Sequence, residues 1–267
     1  MLTPITDSEF RQIQSWLYGV AGISLSDQKK ALVMGRLNAR LTRRQLNSYG
    51  EYFNLLTSGI DLSESQLALD LLTTNETHFF RELKHFDFLR EHILSRHPPR
   101  RTMRIWSAAC STGEEPYSIA MTLLTCLGEV PWEVHASDLS SRVLERARAG
   151  HYSMQRAASI PQPYLTRYCL KGIGAQDGTF LIDDQLRKRV HFSQINLSNP
   201  LPSLGQFDVI FLRNVMIYFE METKRQLIER IIPLLSPGGY LFIGHSESLN
   251  GISSELKLIK PAIYRKP

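Results

Sequence analysis

The sequence predicts an α/β protein in two parts: a small all-α segment over residues 1–73, then an α/β domain over 74–267 carrying a small antiparallel β insertion at about 165–192. Three observations predict it. The first seventy residues read as short capped helices. After Pro98-Pro99-Arg100-Arg101 the chain alternates short apolar runs with helical periods. One glycine cluster, Gly172, Gly174 and Gly178, then interrupts that alternation.

Each early helix has an opening signal. Thr6 with Glu9, Ser48 with Glu51, and Ser63 with Gln66 fit the pairing in which a hydroxyl and a carboxylate or amide satisfy the orphan N–H groups of a helix start. The second helix is expected at about 27–45. On a helical wheel Lys29, Arg36, Arg40 and Arg43 form one stripe, with Met34, Leu37 and Leu41 about a third of a turn away. From Lys29 to Arg44 there are six cations and no acid. Such a stretch cannot pair with itself, so its field is expected to be available to an acidic partner.

A helix near 82–96 precedes the prolines. Beyond them, strands are expected at Met103–Ala108, Glu133–Ser137, Val190–Ile195, Phe207–Leu212 and Tyr240–Gly244, with a final pair of extended segments within 255–265. Helices are expected at 114–127, at 140–149 closed by Gly150, and at 222–235 closed by Pro237-Gly238-Gly239. Crossover helices of this kind place strands parallel. The glycine cluster, flanked by TFLI and RVHF, predicts an insertion of two or three antiparallel strands.

Composition narrows the function. With 267 residues, 43% of them apolar, the chain can bury a substantial core. It has no long uninterrupted apolar run, and its MLTPITDSEF start lacks a signal peptide's basic and apolar regions, so a cytosolic protein without membrane insertion is expected. Cys110, Cys126 and Cys169 form no CxxC pair and read as reduced thiols. His78, His85 and His92 would stand roughly 10 Å apart along one helix, too far to share an ion, so no metal is expected. A net charge of +5 implies an acidic partner.

The chemistry concentrates in MRIWSAACSTGEEPYSIA, residues 103–120: a strand, a turn at Gly113, and a helix opening on Glu114, Glu115 and Pro116. In nucleotide-binding α/β folds this position holds the ligand. Two carboxylates would repel a pyrophosphate, and a phosphate cradle needs glycines and a lysine, so a cationic, hydroxyl-rich ligand suits the turn better. S-adenosylmethionine, with a sulfonium, an amino group and a ribose, is such a ligand, and Glu115 would face its ammonium end. Asp138, at the end of the next expected strand, stands where an acid accepts from ribose hydroxyls.

Six segments carry a family resemblance: TTNETHFFRE (73–82), SAACSTGEEPYS (107–118), SDLS (137–140), INL (195–197), FLRNVMIYF (211–219) and GHSESL (244–249). Together, and in this order along nearly the whole chain, they resemble the chemotaxis receptor methyltransferase family, CheR. The resemblance implies a Rossmann-like class I methyltransferase domain preceded by a helical receptor-docking domain, with S-adenosylmethionine as cofactor and S-adenosylhomocysteine as product. It implies transfer of a methyl group to glutamate carboxylates of chemoreceptors, with recruitment to membrane receptor arrays; for the oligomeric state, on which the sequence is silent, a monomer is the default expectation.

Carried over by position, the resemblance implies that Asn75, Thr77 and Arg81 contact the methionine end of the cofactor. Glu115 and Asp138 match its acidic contacts, Asn196 and Leu197 the pair beside the adenine, and Asn214 and Val215 the lining at the end of the fourth strand. Tyr218, about one helical turn past Asn214, and Arg81 are the expected catalytic pair, orienting the acceptor carboxylate without relaying protons. Phe79 and Phe80 read as packing, and Ser246 with Glu247 as loop-shaping. Lys29, Arg36, Arg40, Arg43 and Arg44 would dock acidic receptor helices. Lys171, Gly172, Gly174 and Gly178 match an insertion that in some relatives binds a receptor's carboxyl-terminal peptide, although Leu181 stands where peptide-binding relatives carry arginine.

A carboxylate is ionised at neutral pH, so this reaction needs orientation and desolvation rather than a general base, in keeping with the absence of a His–Asp pair. Two alternatives remain from sequence: a methyltransferase of the same fold acting on RNA or a small molecule, and a silent cofactor-sensing scaffold. The basic stripe lacks the interleaved aromatics that stack bases, which disfavours nucleic acid.

Overall fold

The computed structural model describes residues 4–267. Residues 1–3, part of the start read above as lacking a signal peptide, lie outside the described residues. The chain divides into two compact units: residues up to Thr74 together with Tyr218–Thr223, and Asn75–Ile217 together with Lys224–Pro267. No helix of the described residues is long and apolar enough to cross a membrane.

The first unit contains α1 (Asp7–Ala21), α2 (Lys30–Arg43), α3 (Tyr49–Thr57) and α4 (Leu62–Leu72). Thr6 and Glu9 close the expected box at the start of α1, the threonine hydroxyl accepting from Glu9 N at 3.2 Å and the Glu9 carboxylate from Thr6 N at 2.8 Å. The other Glu9 oxygen accepts from Gly50 N at 2.8 Å, tying α1 to the start of α3. Ser48 caps α3 as expected. The Ser63–Gln66 cap is not formed. Asp61 starts α4 two residues earlier by accepting from Glu64 N at 2.9 Å, since an aspartate competes well for the same cap position. The core is built from Phe10, Ile13, Leu17, Val33, Leu37, Leu41, Tyr52 and Leu69. On α2 the buried row is Val33, Leu37 and Leu41, spaced four apart; Met34 lies at its margin.

Contrary to expectation, most of the basic stripe is engaged within the unit and does not present a free field. The acids missing from α2 come from α4 and the residue before it. Glu64, 1% exposed, takes a forked pair of hydrogen bonds from Arg40 (2.9 and 2.5 Å), one from Arg44 Nε (2.8 Å) and one from Tyr52 Oη (2.7 Å). Arg44 also reaches Asp61. Arg36 donates to the carbonyls of Leu72 and Thr73 (2.8 and 3.0 Å), closing the end of α4. Three of the five expected docking cations therefore hold the unit together. Lys29 and Arg43 are exposed and make no ion pair among the described residues.

The second unit opens with α5 (Leu83–Phe88), which continues as looser helical turns to Arg96. It then alternates β1 (Met103–Ser107), α6 (Glu114–Leu127), β2 (Trp132–Asp138), α7 (Ser141–Ala149), β3 (His151–Ser153), α8 (Gln162–Tyr168), β4 (Cys169–Lys171), β5 (Thr179–Ile182), α9 (Asp184–Arg187), β6 (Val190–Gln194) and β7 (Phe207–Leu212). The chain continues through α10 (Met221–Ile231), β8 (Leu235–Ile243), β9 (Lys257–Lys260) and β10 (Ile263–Arg265).

The main sheet has the order β6-β2-β1-β7-β8-β10-β9, parallel through β8 and antiparallel at β10 and β9. All six residues of β7 are buried, as a parallel strand covered on both faces requires. The chain runs outward from β1 through β2 to β6, then returns to the other side of β1 as β7. That reversal opens a crevice at the carboxyl ends of β1 and β7.

The antiparallel sheet, β3-β5-β4, has three strands, with one difference from expectation. Its third strand is His151–Ser153, whereas the RVHF segment forms β6 at the edge of the main sheet, pairing with β2 from Val190 to Gln194. The helix expected to run to residue 235 stops at Ile231, because Pro233 lacks the N–H that a helix interior needs. Pro237-Gly238-Gly239 then falls inside β8, where its register against β7 shifts. All three cysteines are free.

Candidate functional site

The carboxyl ends of the parallel strands bring together most of the residues singled out in the sequence. Past β1 the chain turns sharply: Ser111 and Gly113 both adopt the left-handed conformation, at φ 48° and 96°. A Cβ on Gly113 would lie 2.9 Å from both Ala147 Cβ and Tyr152 Oη, so the turn accepts only glycine without displacement. The turn is fixed from β2, where one Asp138 oxygen accepts from Ser111 N (2.8 Å) and the other from Ser140 N (3.0 Å). Asp138 is thereby oriented at a strand end next to the crevice. Ser111 Oγ donates to the Asn75 carbonyl at 2.9 Å, bringing the first residues of the TNETHFFRE loop over the same turn.

That loop is strained where it meets the sheet. Phe80 and Glu82 are left-handed, at φ 53° and 60°, a conformation costly for side chains of their size. Packing holds them: Phe79 stacks edge-on to Tyr152 and Phe80 lies against Phe86 and Tyr164, the packing roles expected of both. The Phe80 N–H donates to Ser118 Oγ at 2.9 Å. Arg81 turns back on its own loop to the Glu76 carbonyl, 3.0 Å away, and the Thr77 carbonyl accepts from Arg156.

The two acids of the helix start are paired, which corrects the expectation of an uncompensated acidic turn. Glu114 is fully buried and bound by Thr112 Oγ1 (2.7 Å) and by Arg156. Glu115 accepts from Ser107 Oγ at 2.7 Å and from Arg213 Nη1 at 2.9 Å. Arg213, its side chain 2% exposed, extends its other nitrogen to Glu82 Oε2 at 3.0 Å and to the Arg81 carbonyl. Burial raises Glu115 above the ordinary carboxylate range against the pull of Arg213. For the less enclosed Glu82, burial is outweighed by Arg213 and the His245 N–H, and its pKa falls.

At the end of β7, Asn214 is left-handed (φ 57°) and its N–H donates to Glu247 Oε2 at 2.9 Å. Glu247 also accepts from Gly244 N (2.6 Å) and Ile217 N (3.3 Å), so it shapes the loop as expected. A Cβ on Gly244 would come within 2.4 Å of the Asn214 amide, so this glycine permits the approach. Asn196 lies just past β6, its side chain accepting from Ser198 N at 3.0 Å, and Leu197 is buried beside it. Val215 is half-buried next to Asn214. The structure thus brings Asn75, Thr77, Arg81, Glu115, Asp138, Asn196, Leu197, Asn214 and Val215 to one end of the second unit's sheet. Tyr218 belongs to the first unit, where its carbonyl accepts from Ser24 N at 2.9 Å.

Sequence reasoning missed Arg213, Arg156 and Glu82. The signal for Arg213 was its place: a cation directly after six apolar residues of a central strand has to be buried, and a buried cation needs an acid.

The turn carries no lysine, and the arginines nearest to it, Arg156 and Arg213, are engaged by Glu114 and Glu115, so it offers no phosphate cradle. Asp138 stands at the adjoining strand end, both its oxygens held by backbone N–H groups.

Residues 75–264 match the family described as CheR methyltransferase, SAM binding domain, and residues 8–73 match CheR methyltransferase, all-alpha domain. The chain is 42% identical over 263 residues to the chemotaxis protein methyltransferase of Salmonella typhimurium, covering 97% of this chain and 90% of that protein. Against the protein of the same name in Escherichia coli it is 42% identical, covering 97% and 91%. Against chemotaxis protein methyltransferase 2 of Pseudomonas aeruginosa it is again 42% identical, covering 97% and 93%. The chain therefore belongs to the CheR methyltransferase family, as an S-adenosylmethionine-dependent methyltransferase with an amino-terminal all-α domain.

Proposed function

We propose that this chain esterifies glutamate side chains of chemoreceptors in chemotaxis, acting as a cytoplasmic monomer recruited to receptor arrays. The observation that carries this reading is the match to chemotaxis protein methyltransferases over 97% of the chain, all-α domain included. When bound, S-adenosylmethionine supplies an electrophilic methyl group. Asn75, Thr77, Glu115, Asp138, Asn196, Leu197, Asn214 and Val215 are proposed to hold it. The acceptor carboxylate is already charged, so Arg81 and Tyr218 serve to orient it. A rigid clamp would stabilise that anion more before transfer than during it, so partial hydrogen bonding suffices.

Methyl-labelled donor incubated with receptor-containing membranes is expected to yield label in receptor protein that base releases as methanol. Base-stable label, or label in RNA or a small molecule, would contradict the proposal, and no transfer to any acceptor would point to a silent scaffold. Tyr218→Phe is expected to lower the maximal rate by about tenfold, the value of one hydrogen bond to a charged group, with no new basic limb in the pH–rate profile. A new basic limb would assign proton transfer to the tyrosine.

Docking through α2 is proposed to rest on Lys29 and Arg43, which are exposed and about 20 Å apart on one helical face. The double substitution Lys29→Glu/Arg43→Glu is expected to raise KM for receptor about tenfold, with the loss growing at low salt and affinity for S-adenosylhomocysteine unchanged. Arg36→Glu would instead open the end of α4. The small sheet is proposed to take a receptor tail as an added strand on β4, whose only partner among the described residues is β5. Gly172 shapes that edge: a Cβ there would meet the Gln176 carbonyl at 2.0 Å, while Gly174 and Gly178 turn through left-handed φ, and exposed Lys171 lies beside them. Calorimetry with receptor tail peptides tests it.

A further inference from the structure

We propose that Glu82, His85 and His245 form a binding site for a zinc-like divalent transition metal. One carboxylate oxygen of Glu82, one ring nitrogen of His85 and one of His245 all lie within 4.8 Å of one another, close enough to converge on one ion. His85 is 1% exposed, yet neither of its ring nitrogens has a hydrogen-bond partner. A buried imidazole left so is costly unless something takes its lone pair or its proton. Its Nδ1 stands 3.4 Å from Glu82 Oε2, and His245 Nε2 stands 3.8 Å from the same oxygen.

Unlike His78, His85 and His92, which share one stretch of chain, this cluster draws its third member from the loop after β8. Glu82 and His85 are set by the left-handed start of α5, and His245 is held by its own N–H, which donates to Glu82 Oε1 at 3.2 Å. Glu82 shares the single guanidinium of Arg213 with Glu115, and its Oε2 makes no hydrogen bond among the described residues. Two imidazoles and one carboxylate make a donor set of borderline softness that favours Zn2+ or Co2+ over Mg2+ or Ca2+. The His85 and His245 side is open: both line a cavity of about 450 Å³ with Lys84, Asp87, Glu91 and Lys260, giving the ion a route in and a fourth position for water.

The site adjoins the cofactor residues through Glu82, whose Oε1 faces the Asn214 amide at 3.4 Å, but its occupancy can be measured without turnover. The purified full-length chain, titrated with Zn2+ against a chromophoric chelator, is expected to take up one equivalent, and Co2+ is expected to give the visible absorption of a tetrahedral site. His245→Ala removes a half-exposed ligand and should preserve the fold, as checked by circular dichroism. It is expected to weaken Zn2+ binding at least tenfold and abolish the Co2+ band. His85→Gln provides a second variant with the same expected loss. Zn2+ affinity unchanged in folded His245→Ala would place binding at other surface histidines and overturn the proposal, as would the absence of stoichiometric uptake by the wild type.

Discussion

Replacing Arg213 by methionine is expected to lower stability by about 3–5 kcal/mol, which for a chain of this size is a fall in Tm of about 10 °C. The substitution roughly conserves volume, so the cost comes from charge. Glu82 and Glu115 would face each other in a space where Arg213 is 2% exposed and neither carboxylate is more than 13% exposed. One or both would have to take up a proton. Because Arg213 also grips the Arg81 carbonyl, the TNETHFFRE loop would lose its tie to the end of β7, and affinity for S-adenosylhomocysteine is expected to fall at least about tenfold. Arg213→Lys should recover only part of each loss, since an ammonium cannot serve both carboxylates and the carbonyl with a planar fork. Differential scanning fluorimetry and calorimetry measure both effects. A methionine variant within about 2 °C of wild type would show that the two acids do not depend on this guanidinium.

Much of this site was legible because each strand of a parallel sheet delivers its last residue to one crevice. Locating Ser107, Asp138, Gln194 and Leu212 as strand ends is enough to bring Glu115, Asp138, Asn196 and Asn214 together, whatever the details of the loops. Helix α6, β7 and the Gly150 cap of α7 follow from short-range pattern and stand where the periodicity puts them. Counter-charges were not legible in that way. The partner of Glu115 lies 98 residues away, that of Glu114 42, and that of Arg40 24, and no local period connects them. An acid-free helix carries no sign within itself that a neighbouring helix supplies the acid, as α4 does for Arg40 and Arg44. Nor does any local period connect His245 with His85; only the fold sets the two rings side by side. Short-range competition accounts for the remaining differences, with Asp61 outcompeting Ser63 as a cap and Pro233 ending a helix before the glycines could.

The fully buried Glu64 carboxylate gives the second large effect. It takes hydrogen bonds from Arg40, Arg44 and Tyr52 at once. Burial by itself would raise its pKa, but these donors outweigh it and bring the group from an ordinary 4.5 down to about 2. A carboxylate whose pKa is lower in the folded chain binds protons better when unfolded. Its stabilisation is therefore complete above about pH 4.5 and is lost as pH falls toward 2. Glu64→Gln keeps the shape and removes the charge, so at neutral pH it is expected to cost the helical unit about 3 kcal/mol. Toward pH 2 the gap between variant and wild type should close, because the wild-type side chain is then neutral as well. Amide exchange over residues 30–72 of the full-length chain reads this unit separately from the methyltransferase domain. Protection there should fall in Glu64→Gln at pH 7, while protection in β1 and β7 stays unchanged. If the difference between the two proteins were the same at pH 3 as at pH 7, the Arg40–Glu64–Arg44 cluster would be held by packing rather than by charge.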